Sequence, residues 1–425
     1  MKKIGMLTLG CRVNQYESDA IAQLIEEKGY KICPFEKGCD LYIINTCTVT
    51  HESDTKCRKA IRRALRYREE TLSPVAVIGC FPQGAKDELF ELEKVDYLSG
   101  NTNKGKIADY IEPLLQGEKF NFLSSLAGAK YENLSISSRK YVKAYVKIED
   151  GCNNFCSYCY VPYVRGRVRS RDEKEIINEV KRLKNSGYRE IILTGIETSA
   201  YGEDKKSEEP LIELVENIQK ECHIPRLRFG SLNPSFFTRK RLERLSKIEG
   251  IMPHFHLSVQ SASDKVLFDM KRQYTSKVLY EAVENIREFF PTANLSCDMI
   301  CGFPGEREED FEQSLEFIRK ARILHTHVFP YSIRHGTRAA TFPDQISEFV
   351  KHNRARIMGD VARETHKKIF EENVAKEYEV LLEFFKDGRT LGYTENFINL
   401  SIPRLETHKK GDIIKVKIEE GMDRE

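Results

Sequence analysis

Gly151-Cys-Asn-Asn-Phe-Cys-Ser-Tyr-Cys-Tyr160 is the stretch on which the reading of this chain turns. Cys152, Cys156 and Cys159 stand at the spacing C-x3-C-x2-C. Three thiolates can hold three irons of a cubane iron–sulfur cluster, whereas a closed cluster needs four. One iron is left for a ligand that is not protein, which points to chemistry at that iron rather than to electron storage. Twelve cysteines scattered at random over 425 residues give this spacing about 0.01 times per chain. The competing reading is a structural zinc site. Such a site wants four closed ligands, and the next cysteine downstream is Cys222.

Outward from the cysteines, strand-like and helix-like segments alternate. Candidate strands are Tyr141–Ile148, Glu190–Leu193, Leu227–Phe229, Phe255–Val259, Leu295–Ile300 and Thr326–Tyr331. Helical segments lie between them, among them Asp172–Ser186, Leu211–Glu221 and Lys277–Phe289. Six such units suit a partial (β/α)6 barrel, whose active site lies at the carboxyl ends of its strands. The cysteine run follows the first strand. Gly195 and Glu197 follow the second, Gln260 and Ser261 end the fourth, Gly302-Phe-Pro-Gly-Glu306 ends the fifth, and Tyr331-Ser-Ile-Arg-His-Gly-Thr337 the sixth. A glycine there lets the backbone approach a ligand, and a carboxylate can accept from an ammonium group.

Upstream, the first ~115 residues also alternate, which predicts a parallel, doubly wound sheet. Its strands are Lys3–Leu9, Asp40–Asn45, Val75–Ile78 and Asp96–Leu98, with helices at Asn14–Tyr30 and Glu52–Tyr67. Cys11, Cys47 and Cys80 each follow one of the first three strands. The carboxyl ends of parallel strands share one edge, where ligands bind, so these distant thiols can converge. The alternative is three unrelated buried cysteines. Cys33, Cys39, Cys57, Cys222, Cys297 and Cys301 read as small core residues.

Two basic runs flank these cysteines. Arg165, Arg167, Arg169 and Arg171 alternate, and in an extended segment period two puts all four on one face. Lys56 to Arg68 holds seven bases and no acid in 13 residues. Both predict contact with a polyanion, a nucleic acid first of all, through phosphates that give affinity but not base specificity. The bland reading of each is a solvated face.

Residues 117–140 are polar and read as a linker between an N-terminal domain, 1–116, and the barrel, 141–345. A charged helical connector follows at 346–376, then a small, separate all-β barrel at 377–425, where short alternating stretches are punctuated by Gly388 and Gly411. A hydrophobic share of 40% is enough for real cores, and a net charge of +3 says little by itself. No segment reaches the ~18 apolar residues of a membrane span, and the N-terminus lacks the pattern of a signal peptide. Twelve cysteines without a secretory signal read as metal chemistry in a cytoplasmic protein rather than as disulfides.

The Cys152 run resembles the radical S-adenosylmethionine (SAM) superfamily. That resemblance implies a [4Fe-4S] cluster whose open iron is chelated by SAM, and reduction that cleaves SAM to a 5′-deoxyadenosyl radical. The implied SAM contacts are Gly195, at the methionine amino group, with Glu197, Ser231, Gln260, Ser261, Arg272 and Phe303. More of the chain is similar to the methylthiotransferase family within that superfamily. The matching residues are Gly10-Cys-Arg-Val-Asn-Gln-Tyr-Glu-Ser18, Asn45-Thr-Cys-Thr-Val49, Ile78-Gly-Cys80, His256-Leu-Ser-Val-Gln-Ser261 and Asp298-Met-Ile-Cys-Gly-Phe-Pro-Gly-Glu306. By this resemblance Cys11, Cys47 and Cys80 ligate a second [4Fe-4S] cluster, and 377–425 is a TRAM-like RNA-binding domain.

Within the family, Cys-Arg-Val-Asn-Gln and Val-Pro-Tyr-Val-Arg-Gly-Arg-Val-Arg-Ser-Arg are most similar to the branch acting on N6-threonylcarbamoyladenosine in tRNA. The expected reaction adds a methylthio group to C2 of that adenosine at position 37, 3′ of the anticodon. The expected partners are the anticodon stem-loop of tRNA, a reductase for the radical cluster and a sulfur donor, with no membrane. The alternatives are isopentenyladenosine in tRNA, an aspartate of ribosomal protein S12, or a non-catalytic iron–sulfur RNA-binding protein.

Overall fold

The computed structural model describes residues 1–84, 94–137 and 142–424. Residues 138–141, where the linker was expected to give way to the barrel, lie outside them. The chain divides into two units, the first of which holds the N-terminal sheet, Lys147–Arg171 and Ser332–Ala340.

In that first unit the chain runs β1 (Lys3–Thr8), α1 (Arg12–Glu27), β2 (Lys31–Cys33), β3 (Leu41–Thr46), α2 (His51–Thr71), β4 (Val75–Gly79), α3 (Cys80–Gly84), β5 (Tyr97–Ser99), α4 (Ile111–Leu115) and β6 (Phe120–Phe122). The six strands form one parallel sheet in the order β2-β1-β3-β4-β5-β6. Pleating sends successive side chains to opposite faces. Leu41, Ile43, Ala76 and Ile78 pack beneath α1, while Tyr42, Ile44, Val75 and Val77 pack beneath α2 with Cys57, Ile61 and Ala64. Both faces are covered, so these strands are continuous apolar runs, as a doubly wound sheet requires. Phe120–Phe122 was read as linker; it is the sixth strand, held against Tyr97–Ser99 and by the edge-on contact of the Tyr110 and Phe120 rings. Three residues of Phe-Asn-Phe are too short for a periodic signal.

The chain continues through β7 (Lys143–Lys147), β8 (Glu149–Asp150), α5 (Val161–Arg165), β9 (Arg169–Ser170), α6 (Glu173–Asn185), β10 (Glu190–Thr194), α7 (Pro210–Cys222), β11 (Arg226–Phe229), β12 (Ser231–Leu232), α8 (Arg239–Ser246), β13 (His254–Gln260), α9 (Asp264–Asp269), α10 (Ser276–Phe289), β14 (Asn294–Cys301), α11 (Glu308–Lys320) and β15 (Ile323–Pro330). The second unit takes most of these. Its barrel strands form two sheets, β11-β10-β7 and the parallel β12-β13-β14-β15. On β13, Phe255, Leu257 and Val259 are buried while His256, Ser258 and Gln260 are half-buried, so one face packs on helices and the other stays open.

A long helix, α12 (Glu348–Glu371), precedes β16 (Glu377–Lys386), β17 (Arg389–Thr394), β18 (Asn399–Pro403) and β19 (Ile413–Lys417). These last four form an antiparallel sheet, β18-β17-β16-β19, over a core of Val380, Leu382, Leu400, Ile402 and Val416. No helix among the described residues is long and apolar enough to cross a membrane.

Candidate active site

The three strands that carry Cys11, Cys47 and Cys80 are neighbours. β1, β3 and β4 lie side by side and point the same way, about 4.8 Å apart. Cys11 caps the start of α1, Cys47 directly follows β3, and Cys80 opens α3. Gly10 has φ +108°, and a Cβ on it would lie 2.6 Å from the Cβ of Cys47, so only glycine lets the Cys11 loop pass this close. Cys47 and Cys80 are buried and Cys11 is exposed. Burial, then the Cys80 sulfur, with a smaller push from Cys11, raises the Cys47 thiol to about 11. Cys47 therefore sits in the field of both other sulfurs. This donor set fits a cluster, because iron takes the thiolate, releases the proton and removes that repulsion.

Uncharged side chains fix the three strand ends, and the motif reading gave them no role. Asn14 Nδ2 donates to Leu9 O at 2.7 Å and to Thr46 O at 2.9 Å, tying the Cys11 loop to the end of β3. Thr46 Oγ1 donates to Ile78 O at 2.6 Å and accepts from Phe81 N at 3.2 Å, tying β3 to the Cys80 turn. Asn45 Nδ2 donates to Asn14 O and Ser18 Oγ. The signal was available: Asn14, Asn45 and Thr46 are buried polar residues inside the quoted motifs.

The Cys152 loop lies in the same unit. Cys152 N donates to Gly166 O at 3.1 Å and Cys159 N to Cys156 O at 3.0 Å. Ala339 N donates to Ser157 O at 2.8 Å. Arg334 sits over the Tyr160 ring and pairs with Asp54, so the last barrel motif braces the loop. α5, which follows the loop, packs on α3. Asn101 joins the two cysteine sets, its Nδ2 donating to Val164 O at 2.7 Å and lying 3.3 Å from Cys80 Sγ. No local pattern marks Asn101, because its partners come from two other segments.

The alternating arginines are not one face. Val161–Arg165 is a helix and Arg169–Ser170 a strand, so period two breaks between them. Arg165 and Arg171 are 1% exposed and Arg169 8%. Arg165 donates to Asp150 Oδ1 at 2.9 Å, to both oxygens of Glu17 at 3.2 and 3.3 Å, and to Asn14 Oδ1 at 2.5 Å. Arg169 donates to Arg165 O at 2.7 Å, and Arg171 to Asn133 Oδ1 and Tyr16 OH. These three cannot reach RNA; only Arg167 is exposed, its guanidinium 4.4 Å from the Phe155 ring centre. Lys104 and Lys147 complete the buried network on Glu17. Burial opposes ionisation of Glu17, but Arg165, Lys104 and Lys147 outweigh it and hold its carboxyl well below the ordinary range. The basic run on α2 does present a stripe, since Lys56, Lys59, Arg62 and Arg66 are exposed at helical spacing.

In the second unit the expected SAM residues divide. Gly195 follows β10, and Glu197 beyond it is buried and accepts from Ser199 Oγ at 2.5 Å. Burial raises its carboxyl, against Ser199 and the nearby charge of Arg272. Arg272 donates to Ser258 O at 2.9 Å, and Ser231 Oγ lies 2.7 Å from Ser258 Oγ. Gln260 ends β13 at φ +67°. Ser261 and Phe303 differ from expectation: both side chains are fully buried, Ser261 beside Ser314 and Phe303 against Tyr331 and Phe342. On the open face of β13 to β15, His256, Asp298 and His327 bring their polar atoms within 4.8 Å of one another, a grouping that spans three strands and that no spacing announces.

Residues 146–318 match the Radical SAM superfamily, and residues 3–100 match Uncharacterized protein family UPF0004. The threonylcarbamoyladenosine tRNA methylthiotransferase MtaB of Bacillus subtilis is 36% identical over 98% of this chain and 94% of its own length. Its namesake from Aquifex aeolicus is 35% identical over 98% and 100%. The tRNA-2-methylthio-N(6)-dimethylallyladenosine synthase of Pelotomaculum thermopropionicum is 33% identical over 91% and 88%. Among solved structures, the radical SAM methyltransferase TsrM from Kitasatospora setae superposes with a TM-score of 0.59 at 17% identity, over 80% of this chain and 77% of that one, a likeness of fold. Two triads of cysteines in the arrangement above, with full-length relatives of this identity, lead to one conclusion: the chain belongs to the radical SAM methylthiotransferase family.

Proposed function

We propose that this protein adds a methylthio group to C2 of N6-threonylcarbamoyladenosine at position 37 of tRNA. The observation that carries the reading is the pair of thiol triads in one unit, joined through Asn101. Cys152, Cys156 and Cys159 hold one [4Fe-4S] cluster and leave an iron for SAM; Cys11, Cys47 and Cys80 hold a second. When bound, the open cluster and SAM supply a carbon radical able to take hydrogen from C2, a carbon with no acidity for a base to exploit. The chain's own work is positional. Asn14, Thr46 and Asn101 hold the sulfurs in register, and the Arg165 network keeps α1 and α5 fixed with its guanidinium charge in the field of Cys80 and Cys11.

Gly195, Glu197, Ser231, Gln260 and Arg272 receive SAM, while Ser261 and Phe303 are packed in the core. Arg167 and the α2 stripe meet tRNA phosphates. The domains are 1–116, completed by the strand Phe120–Phe122, then 141–345 and a TRAM-like RNA-binding module at 377–425, with the rest of 117–140 and 346–376 connecting them. A reductase and a sulfur donor complete the reaction, which takes place where tRNA is, in the cytoplasm.

The similarity to a dimethylallyladenosine synthase supports a second reading, the same chemistry on the isopentenylated base. Nucleoside mass spectrometry of tRNA from a strain lacking the gene separates them. Loss of the 2-methylthio derivative of threonylcarbamoyladenosine, with its precursor accumulating, is the expected outcome. Loss of the isopentenyl derivative instead overturns the substrate, and an unchanged nucleoside profile overturns the function.

A further inference from the structure

Two cysteines that read in sequence as unconnected core residues meet in the fold. Cys33 ends the edge strand β2, and Cys39 precedes β3. Their sulfurs lie 3.0 Å apart, closer than two sulfurs that merely touch, and a disulfide needs about 2.05 Å. An approach of roughly 1 Å closes the bond. The loop between them is already anchored on both sides. Tyr42 OH accepts from Gly38 N at 3.2 Å and Cys39 N at 3.3 Å, and Ser73 Oγ donates to Cys39 O at 2.6 Å. Phe35 packs edge-on against Tyr42. A second observation concerns the space for the sulfur: a Cβ at Gly5, the residue paired with Cys33 on β1, would lie 2.8 Å from Cys39 Sγ. Glycine on β1 makes the room in which Cys39 meets Cys33.

We propose that Cys33 and Cys39 form a reversible dithiol–disulfide pair that reacts with small-molecule disulfides. Cys33 is partly exposed and Cys39 is buried, which sets the order of events. The Cys33 sulfur attacks the small disulfide, breaks its S–S bond and releases one thiol, leaving a mixed disulfide. The Cys39 sulfur then attacks Cys33 Sγ and releases the second thiol. Two protein thiols are oxidised, one small disulfide is reduced to two thiols, and the protein's two protons pass to the leaving thiolates. Burial and the neighbouring Cys39 hold the Cys33 thiol at about 12, so exchange is slow at neutral pH. The pair is a clasp on the sheet edge that records sustained oxidation without using any of the six candidate iron ligands.

The test uses the cluster-loaded protein, incubated without oxygen with oxidised glutathione, then blocked with N-ethylmaleimide and digested with trypsin. Cleavage after Lys37 and Lys56 puts the two cysteines in separate peptides, Ile32–Lys37 and Gly38–Lys56. The expected result is one species joining these peptides, two hydrogens lighter than their sum, with fragmentation placing the bond at Cys39 rather than Cys47. Cys33→Ser is expected to lose the species and to keep both iron content and methylthiolation of tRNA. Full alkylation of Cys33 and Cys39, glutathione held on Cys33 with no link to Cys39, or a link from Cys33 to Cys47 would each overturn the proposal.

Discussion

Replacing Arg165 with alanine tests whether the arginine run is structural. Its guanidinium joins Asp150, Glu17 and Asn14 inside the first unit and is 1% exposed. Removing one partner of a buried ion pair costs about 3–5 kcal/mol, because the remaining charge stays desolvated. Lys104 and Lys147 still face Glu17, and Lys147 still bonds Asp150 at 2.7 Å. The lower end, about 3 kcal/mol, is therefore expected. In a unit of this size each kcal/mol moves Tm by about 2–4 °C, so Arg165→Ala should melt about 6–12 °C below the parent. Arg165→Lys keeps the charge but loses the fork that spans Asp150, Glu17 and Asn14, and should fall between. Differential scanning calorimetry measures the shift. Fluorescence anisotropy with labelled tRNA, well below the melting range, measures affinity, which should stay within about twofold of the parent because no phosphate contact is lost. A Tm within about 2 °C of the parent, together with tRNA binding weakened tenfold, would refute the buried-network argument and restore the four arginines as an RNA face.

Two further outcomes follow from the same geometry. Cys11→Ala removes one proposed ligand of the strand-edge triad and leaves the Cys152 loop intact, so reductive cleavage of SAM should persist while methylthiolation of tRNA is abolished; retained methylthiolation would defeat the two-cluster arrangement. Glu306 is buried, and burial raises its carboxyl to about 7 despite the Gly302 N–H and Arg354. The folded state binds this proton more tightly than the unfolded chain, so the contribution of Glu306 to stability is full below about pH 4.5 and falls by about 3 kcal/mol as pH rises to about 7. Melting of parent and Glu306→Gln across that window should show this slope in the parent alone.

Much of the architecture was legible because it rests on local pattern. Apolar runs such as Leu41–Asn45 and Val75–Ile78 bury both faces of a strand, and the helix-length segments between them force parallel neighbours. The convergence of Cys11, Cys47 and Cys80 followed from that topology, since residues after parallel strands share an edge. Burial was less legible. Arg165 and Arg167 are the same residue type two positions apart, yet Arg165 meets Glu17, far away in sequence, and Arg167 meets solvent. Ser261 and Phe303 were assigned from motif position, which places a backbone but not the direction of a side chain.

The sequence by itself carried the chemistry proposed for this protein, because Cys152, Cys156 and Cys159 offer three thiolates where a closed cubane needs four, the residues around them resemble a family that uses such a site, and covalent spacing survives any folding. Tertiary structure alone decided which charges are solvated and which thiols meet. Burial of Arg165 and the approach of Cys33 to Cys39 depend on segments brought together only when desolvation and packing are paid across the whole unit, and no window of residues contains that balance.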